Sequence, residues 1–361
     1  MGFPNNSKTH KKILHIAETT MGGVGTIING LTNNSIETSS VICPLQQSDI
    51  IICEDKKCFN RTGRNLKSFY NLATVILKEI KINKYTTIHI HSSFAGVIVR
   101  TLFLLKLIDK NKYCVVFTPH CFSFIMNVRE PKKKLYAIIE RILANYNDYI
   151  VTNSNFEYQQ AIQYGVPKGK LKIIYNGVNF DNMNIHPLMS VNRNNKINIL
   201  FVGRFDHQKG YDYLIKIIEG LDKNKFFFNI VGDSVHDSVN RISSDNVVYH
   251  GWKKKEELSD YFANNDFLIM PSRWESFGLV AVEAQTNGLP VLANNTSSIP
   301  EVVLNNKTGI LLDFNNIMTV IDFINAHDVS FWRGMRQDCR TYAHEKFHED
   351  KMIKEYFDLY R

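Results

Sequence analysis

In the stretch RWESFGLVAVEAQ, Glu275 and Glu283 stand eight positions apart around an apolar run. At about 3.6 residues per helical turn, that spacing does not set them side by side as an acid/base pair. Two such carboxylates reach different parts of one extended polar ligand. The plainer alternatives are a helix-stabilising charge for Glu275 and a salt-bridged or exposed helix position for Glu283. Glu283 lies between Val282 and Ala284, and a carboxylate in apolar surroundings needs a partner. A second group of charges lies in FVGRFDHQKG, where Gly203-Arg204 and Lys209 span a strand-to-helix junction. Arg204 offers a planar fork for phosphate oxygens, Lys209 a point charge, and a neighbouring helix start adds amide donors, together a site for pyrophosphate. Read as ordinary loop residues, the same two cations would do no chemistry.

Histidines supply a third set. VVFTPHCF ends a strand at His120, and IHIHSS sets His89 and His91 on one face of another strand. A lone strand-end histidine is more often structural than catalytic. The His89/His91 spacing suits a metal, but no third ligand is apparent, so no metal is expected. The segment MGGVG places Gly22, Gly23 and Gly25 between a strand and a helix. Ile28 occupies the position of the third glycine, so this is not the dinucleotide fingerprint, and a simple tight turn is the alternative.

The elements that must hold these residues follow from hydrophobic patterning. KILHIA, SSVIC, TIHIHSS, YCVVFTPH, DYIVTNS, INILFVGR, FFFNIVGD, NVVYHGW, DFLIMPS, LPVLANN and TGILLD are short, near-continuous apolar runs, as expected of strands buried on both faces. LKSFYNLATVILKEIKINK, AGVIVRTLFLLKLIDKNK, KKKLYAIIERILANYND and GYDYLIKIIEGLDKN alternate with them at helical spacing, which predicts parallel sheets covered by helices. The Asn-rich segment 176–195 shows neither period and reads as a linker. It separates a first domain, 1–175, from a second, 196–361, whose last helix (about 345–361) is a candidate to pack back on the first. Ligands of such sheets bind beyond the carboxyl ends of the strands, so two domains facing each other are expected to share a cleft.

The 361 residues exceed what one core usually serves, and 44% hydrophobic with 22% charged residues suit a soluble globular protein. The net charge of +8 favours anionic partners. Nucleic acid is not expected, since neither a zinc module nor an aromatic RNA-binding strand is present. Six cysteines without a CxxC pair fit reduced thiols in the cytoplasm. No run is long enough to span a membrane or serve as a secretory leader. REPKKKLYAIIERILANY, however, sets Lys132, Lys133, Lys134 and Arg141 beside Leu135, Ile138, Ile139 and Ile142. That pattern suits either the anionic inner face of the cytoplasmic membrane or a core-packed helix with solvated lysines.

The Glu-x7-Glu segment, FVGRFDHQKG, IVTNSNFEYQQAIQYGVP, IIYNGV and SSIPEVV followed by TGILLD occur in order and together resemble the retaining glycosyltransferases of the family-4 type. The resemblance covers most of the chain and implies the GT-B fold: two Rossmann-like, doubly wound α/β domains. It implies Arg204 and Lys209 on the donor diphosphate, Glu283 on the ribose and Glu275 on the transferred sugar. Ser276, Phe277, Gly278 and Leu279 would set backbone against sugar and phosphate. Gly22, Gly23 and Gly203 would lie at the donor, Gly232, Trp252 and Lys253 around the nucleobase, and Gly23, His91 and His120 toward the acceptor, with His120 also near the donor sugar.

The implied reaction is hexosyl transfer from a nucleotide diphosphate sugar to a soluble or lipid-linked glycan in surface-polysaccharide (O-antigen or capsule) assembly. UDP-sugars are the default donor, with GDP- and dTDP-sugars open. No Asp-x-Asp occurs, so no metal or other cofactor is expected. The alternatives are an epimerase or phosphorylase of the same fold and a noncatalytic nucleotide-sugar binder.

Overall fold

The computed structural model describes residues 12–33, 38–180, 196–234 and 240–360. The chain divides into two compact units, Met1–Tyr175 with Lys351–Arg361, and Asn176–Asp350. Of the expected linker, residues 181–195 lie outside the described residues. Val178 is hydrogen-bonded through its N–H to the Phe347 carbonyl and through its carbonyl to the Glu349 N–H.

The first unit is built on strands β1 (Lys12–Ala17), β2 (Thr38–Pro44), β3 (Lys56–Phe59), β4 (Thr87–His91), β5 (Cys114–Thr118), β6 (Tyr149–Thr152) and β7 (Leu171–Ile173). They lie in the order β3-β2-β1-β4-β5-β6-β7, and every pairing is parallel. Parallel pairing requires a crossover between strands, and the crossovers cover both faces, hence the near-continuous apolar runs. Leu14, Ile16, Ile88, Ile90, Val115 and Phe117 enter a core with the helices Leu66–Ile82 and Ser93–Leu104. On the opposite face Ile13, Val116 and Val151 meet Met352, Ile353, Tyr356 and Tyr360 from the chain's final segment. Alternation along the strands puts His15, His89, His91 and Thr118 on this second face.

The second unit repeats the plan with β8 (Ile197–Val202), β9 (Phe226–Val231), β10 (Val247–Tyr249), β11 (Phe267–Met270), β12 (Val291–Asn294) and β13 (Gly309–Leu312). Their order is β10-β9-β8-β11-β12-β13, again parallel. Its core includes Phe267 stacked on Trp332 at 4.0 Å between ring centres. Strand order therefore reverses direction once in each sheet, between β1 and β4 and between β8 and β11. Eleven strands coincide with the apolar runs of the sequence; β3 and β7, at the two edges of the first sheet, have no such run.

The helix Glu130–Leu143 is tied to its neighbour by a buried, two-pronged ion pair from Arg100 to Glu140, at 2.8 and 3.1 Å. Removing one partner would strand a buried charge, a loss of roughly 3–5 kcal/mol. The helix buries Ala137, Glu140 and Leu143 but leaves Leu135, Ile138 and Ile142 exposed. No helix among the described residues is long and apolar enough to cross a membrane.

Candidate active site

In the second unit, the loops that follow β8 and β11 meet at the reversal point of the sheet. Lys209 Nζ lies 2.6 Å from Glu275 Oε1, and the Ser272 hydroxyl donates to the same oxygen at 2.8 Å. Glu275 is fixed through its backbone as well: its N–H donates to Ser297 Oγ at 2.9 Å and its carbonyl accepts from Ser298 Oγ at 3.0 Å. Arg273 ties the loop after β11 to the loop and helix after β8: its guanidinium donates to the His207 carbonyl at 2.8 Å and grips Asp212, in the helix Tyr211–Gly220, twice at 2.7 Å. Arg204 is half-exposed, bonded to Gln208 Oε1 at 2.7 Å and paired with Asp206 at 3.2 Å. Gly232, after β9, has φ +121°, and a Cβ there would overlap the Gly203 carbonyl; only glycine lets these loops close on one another.

Gly278 caps the helix Leu279–Thr286 in a left-handed conformation. About one turn into that helix, Glu283 is buried, and its carboxylate makes no hydrogen bond or ion pair among the described residues. Burial raises its pKa, against the pull of Lys255 and Lys209. A buried carboxylate without a donor is unfavourable unless something else supplies one.

The first unit gathers imidazoles at the equivalent place. Parallel register sets His15 beside His89 and His91 beside Thr118. His15 Nδ1 lies 3.1 Å from His91 Nε2, and His91 Nδ1 lies 3.0 Å from His120 Nε2. The two ring nitrogens of His89 meet the Tyr360 hydroxyl at 2.7 Å and Thr118 Oγ1 at 2.9 Å. Burial pulls all four imidazoles down, His15 to about 3 and His120 to about 4, with neighbouring imidazoles adding to the effect at His89 and His91. All four are neutral at physiological pH. His120 has a left-handed backbone, φ +57°, a strain of about 1–3 kcal/mol that surrounding contacts must hold. Glu157 helps hold it, accepting from the Phe122 and Asn153 N–H groups at 3.0 Å each.

Two family models divide most of the chain between them. The model of Glycosyltransferase Family 4 matches residues 38–182, and that of Glycosyl transferases group 1 matches 189–343. The chain belongs to the family-4 glycosyltransferases. A Klebsiella pneumoniae protein described as an uncharacterized 41.2 kDa protein in the cps region is 51% identical over 97% of this chain and 99% of its own length. The Escherichia coli UDP-Gal:alpha-D-GlcNAc-diphosphoundecaprenol alpha-1,3-galactosyltransferase is 26% identical over 82% of this chain and 79% of its own. Among solved structures, Anabaena HepE in complex with UDP-glucose superimposes with a TM-score of 0.80 at 17% identity, covering 97% of this chain and 99% of that one. The fold is GT-B.

The positions singled out in this glycosyltransferase's sequence fall into three groups. Gly203, Arg204, Lys209, Gly232, Glu275, Ser276, Gly278, Leu279 and Glu283 lie at the carboxyl end of the second sheet. The Phe277 ring does not: it is buried edge-on against Phe347 at 5.5 Å, so at that position only the backbone is available to a ligand. Trp252 is exposed, and Lys253 lies 3.6 Å from Glu257. In the first unit, Gly22 and Gly23 are exposed at the turn after β1, whereas a Cβ at Gly25 would collide with the Thr20 carbonyl and Ile50.

Sequence reading missed His15, Lys255 and the Arg273–Asp212 lock. His15 corrects one expectation directly. It is the third nitrogen donor that strand spacing did not reveal, and ligand atoms of His15, His89 and His91 lie within 4.8 Å of one another. His89 has both ring nitrogens engaged by hydroxyls and His91 has both engaged by imidazoles. Arg273 was legible only as part of the charged stretch around Glu275.

Proposed function

We propose that this glycosyltransferase moves a hexosyl unit from a UDP-sugar to a glycan acceptor, with retention of anomeric configuration and without a metal. The observation that carries the reading is the grouping of Lys209, Glu275 and the buried Glu283, whose carboxylate has no hydrogen bond among the described residues, at the reversal point of the second sheet. A nucleotide diphosphate sugar supplies what each lacks. Its diphosphate competes with Glu275 for Lys209 and takes the Arg204 fork as well. Glu275 is then free to accept from sugar hydroxyls, and Glu283 from the ribose hydroxyls.

Departure of the diphosphate builds negative charge, which Arg204, Lys209 and the amides at Gly278 and Leu279 neutralise. The acceptor hydroxyl attacks from the face the diphosphate leaves, and a phosphate oxygen takes its proton as the C–O bond to the diphosphate breaks. His120, neutral, orients the sugar and stabilises developing charge.

For the acceptor we infer a lipid-diphosphate-linked oligosaccharide used in surface-polysaccharide assembly. Exposed Leu135, Ile138 and Ile142, beside Lys132, Lys134 and Arg141, support docking on an anionic membrane face. The acceptor in the E. coli relative's name is a diphosphoundecaprenol, and the cps region is the setting of the Klebsiella relative.

The test is calorimetric titration of the purified protein with UDP, GDP, dTDP and ADP in EDTA, followed by the matching sugar nucleotides. Saturable UDP binding that Lys209→Ala abolishes is the expected result. Folded protein that binds none of the four would overturn the reading, and isomerisation of the sugar nucleotide without acceptor would mark an epimerase instead.

A further inference from the structure

We propose that His91, backed by His15, is a positioning residue that fixes which ring nitrogen of His120 carries the proton. The inference rests on the reading that His120 meets the sugar. Its basis is a file of polar contacts at the carboxyl ends of the first sheet. Asn153 Nδ2 lies 3.5 Å from His120 Nδ1, His120 Nε2 lies 3.0 Å from His91 Nδ1, and His91 Nε2 lies 3.1 Å from His15 Nδ1.

A neutral imidazole has one N–H and one lone pair. Along such a file every proton must therefore point the same way. If His91 donates to His120, Nδ1 of His120 bears the hydrogen and is a donor; if His91 accepts, Nδ1 is an acceptor. The Asn153 contact is the longest of the three, which leaves Nδ1 as the His120 nitrogen with capacity for a ligand. Asn153 Oδ1 is buried and unpaired, so the amide can meet either form of Nδ1 with one end or the other.

The rings cannot swing out of the file. His91 stands against His89, with ring centres 3.9 Å apart, and His89 is clamped between the Tyr360 and Thr118 hydroxyls. Thr118 is itself 3.2 Å from the Tyr356 hydroxyl. Two tyrosines from the last turns of the chain thus buttress a histidine near residue 90. Where Ile13, Val116 and Val151 fill this face with apolar atoms, His15 and His91 set ring nitrogens within hydrogen-bond reach of each other.

Selective 15N-histidine labelling of the full-length protein and long-range proton–nitrogen spectra test the assignment, with the His120 signals identified through His120→Ala. Wild-type protein is expected to show one neutral His120 tautomer at neutral pH. His91→Phe keeps a ring but removes both nitrogens; it should leave His120 as a mixture, lower kcat about tenfold and change donor KM by less than about twofold. His91→Asn restores a polar atom near the Nδ1 position and should recover most of kcat and the single tautomer. If His91→Phe does not fold, His15→Leu, which cuts only the far end of the file, should produce the same mixing.

An unchanged single tautomer in the folded variant, an Asn variant no better than the Phe variant, or stoichiometric zinc bound to these rings would each overturn the proposal. Wild-type turnover by His120→Ala would instead defeat the reading beneath it, whatever the tautomer.

Discussion

The two units share strand order and parallel pairing up to one extra edge strand, yet the carboxyl ends of their sheets differ chemically. The second unit carries formal charges there: Lys209 against Glu275, Glu283 buried and with no hydrogen bond among the described residues, Arg204 half in solvent. The first has four imidazoles, all neutral, linked to each other or to hydroxyls, and just past β1 a buried Glu18 already paired with Arg61 at 2.7 Å. Topology puts the crevice at the reversal of strand order in both. What fills the crevice depends on the few residues beyond β1, β4 and β5 or β8 and β11. One face is preorganised to exchange internal ion pairs for a charged ligand, the other to present neutral imidazoles beside one closed Glu18–Arg61 pair.

The sharpest way to break this contrast is to remove the central charge. Lys209→Ala should lower sugar transfer on the order of 10² to 10³-fold, measured as steady-state turnover with protein shown to be folded. A loss below about threefold would mean that the charged unit does not handle the leaving group.

Glu283→Gln separates binding from stability. Loss of a charge-assisted hydrogen bond to the donor, about 1.5–3 kcal/mol, should weaken donor binding by roughly tenfold or more in calorimetry. The thermal midpoint should rise, because the substitution removes a buried, unpaired carboxylate. The sign follows from linkage. The folded pKa is raised, so this group's favourable contribution is full below the ordinary glutamate value and is lost as pH rises through the folded pKa. At neutral pH the carboxylate therefore works against folding. A lowered midpoint with unaltered donor affinity would assign Glu283 a structural role.

The imidazoles predict the opposite pH response for the first unit. Their folded pKa values are depressed, His120 to about 4 and His15 to about 3. Their contribution is full above the unfolded value near 6.5 and drains away as pH falls toward those numbers. All three tryptophans, Trp252, Trp274 and Trp332, lie in the second unit. Between about pH 7 and pH 5, the urea midpoint by far-ultraviolet circular dichroism should therefore fall further than the midpoint by tryptophan fluorescence. Coincident shifts at both probes would show that the histidine face is not the acid-sensitive part.

The smallest effect is expected at Trp252. Its side chain is 54% exposed, and Trp252→Ala should change donor KM by no more than about threefold. A loss of tenfold or more would make the indole a base-stacking surface.

Legibility in the sequence followed burial. Eleven strands were readable from apolar runs, the edge strands β10 and β13 of the second sheet among them, whereas β3 (KKCF) and β7 (LKI) were not, because lysines interrupt these short segments. Lys209, Glu275 and Glu283 could be picked out because charges are rare beside apolar runs. His15 could not: inside KILHIA it is one polar residue in a strand, and nothing in its local spacing points to His91, 76 positions away. Lys255 was equally silent, as one of three consecutive lysines, until the fold set its charge to act on Glu283.

The sequence by itself determined the parallel α/β architecture, the placement of charged residues just beyond strand ends and the family resemblance, since these depend on local pattern and order along the chain. Only the tertiary structure decided which distant side chains became partners. Parallel register, set by hydrogen bonds between strands far apart in sequence, aligned His15, His89 and His91 on one face. Packing of the final segment brought Tyr356 and Tyr360 onto that face, and burial of the helix Leu279–Thr286 left the Glu283 carboxylate without a hydrogen bond among the described residues. Distances of about 3 Å between groups dozens of residues apart arise from global chain closure, which no window of local periodicity contains.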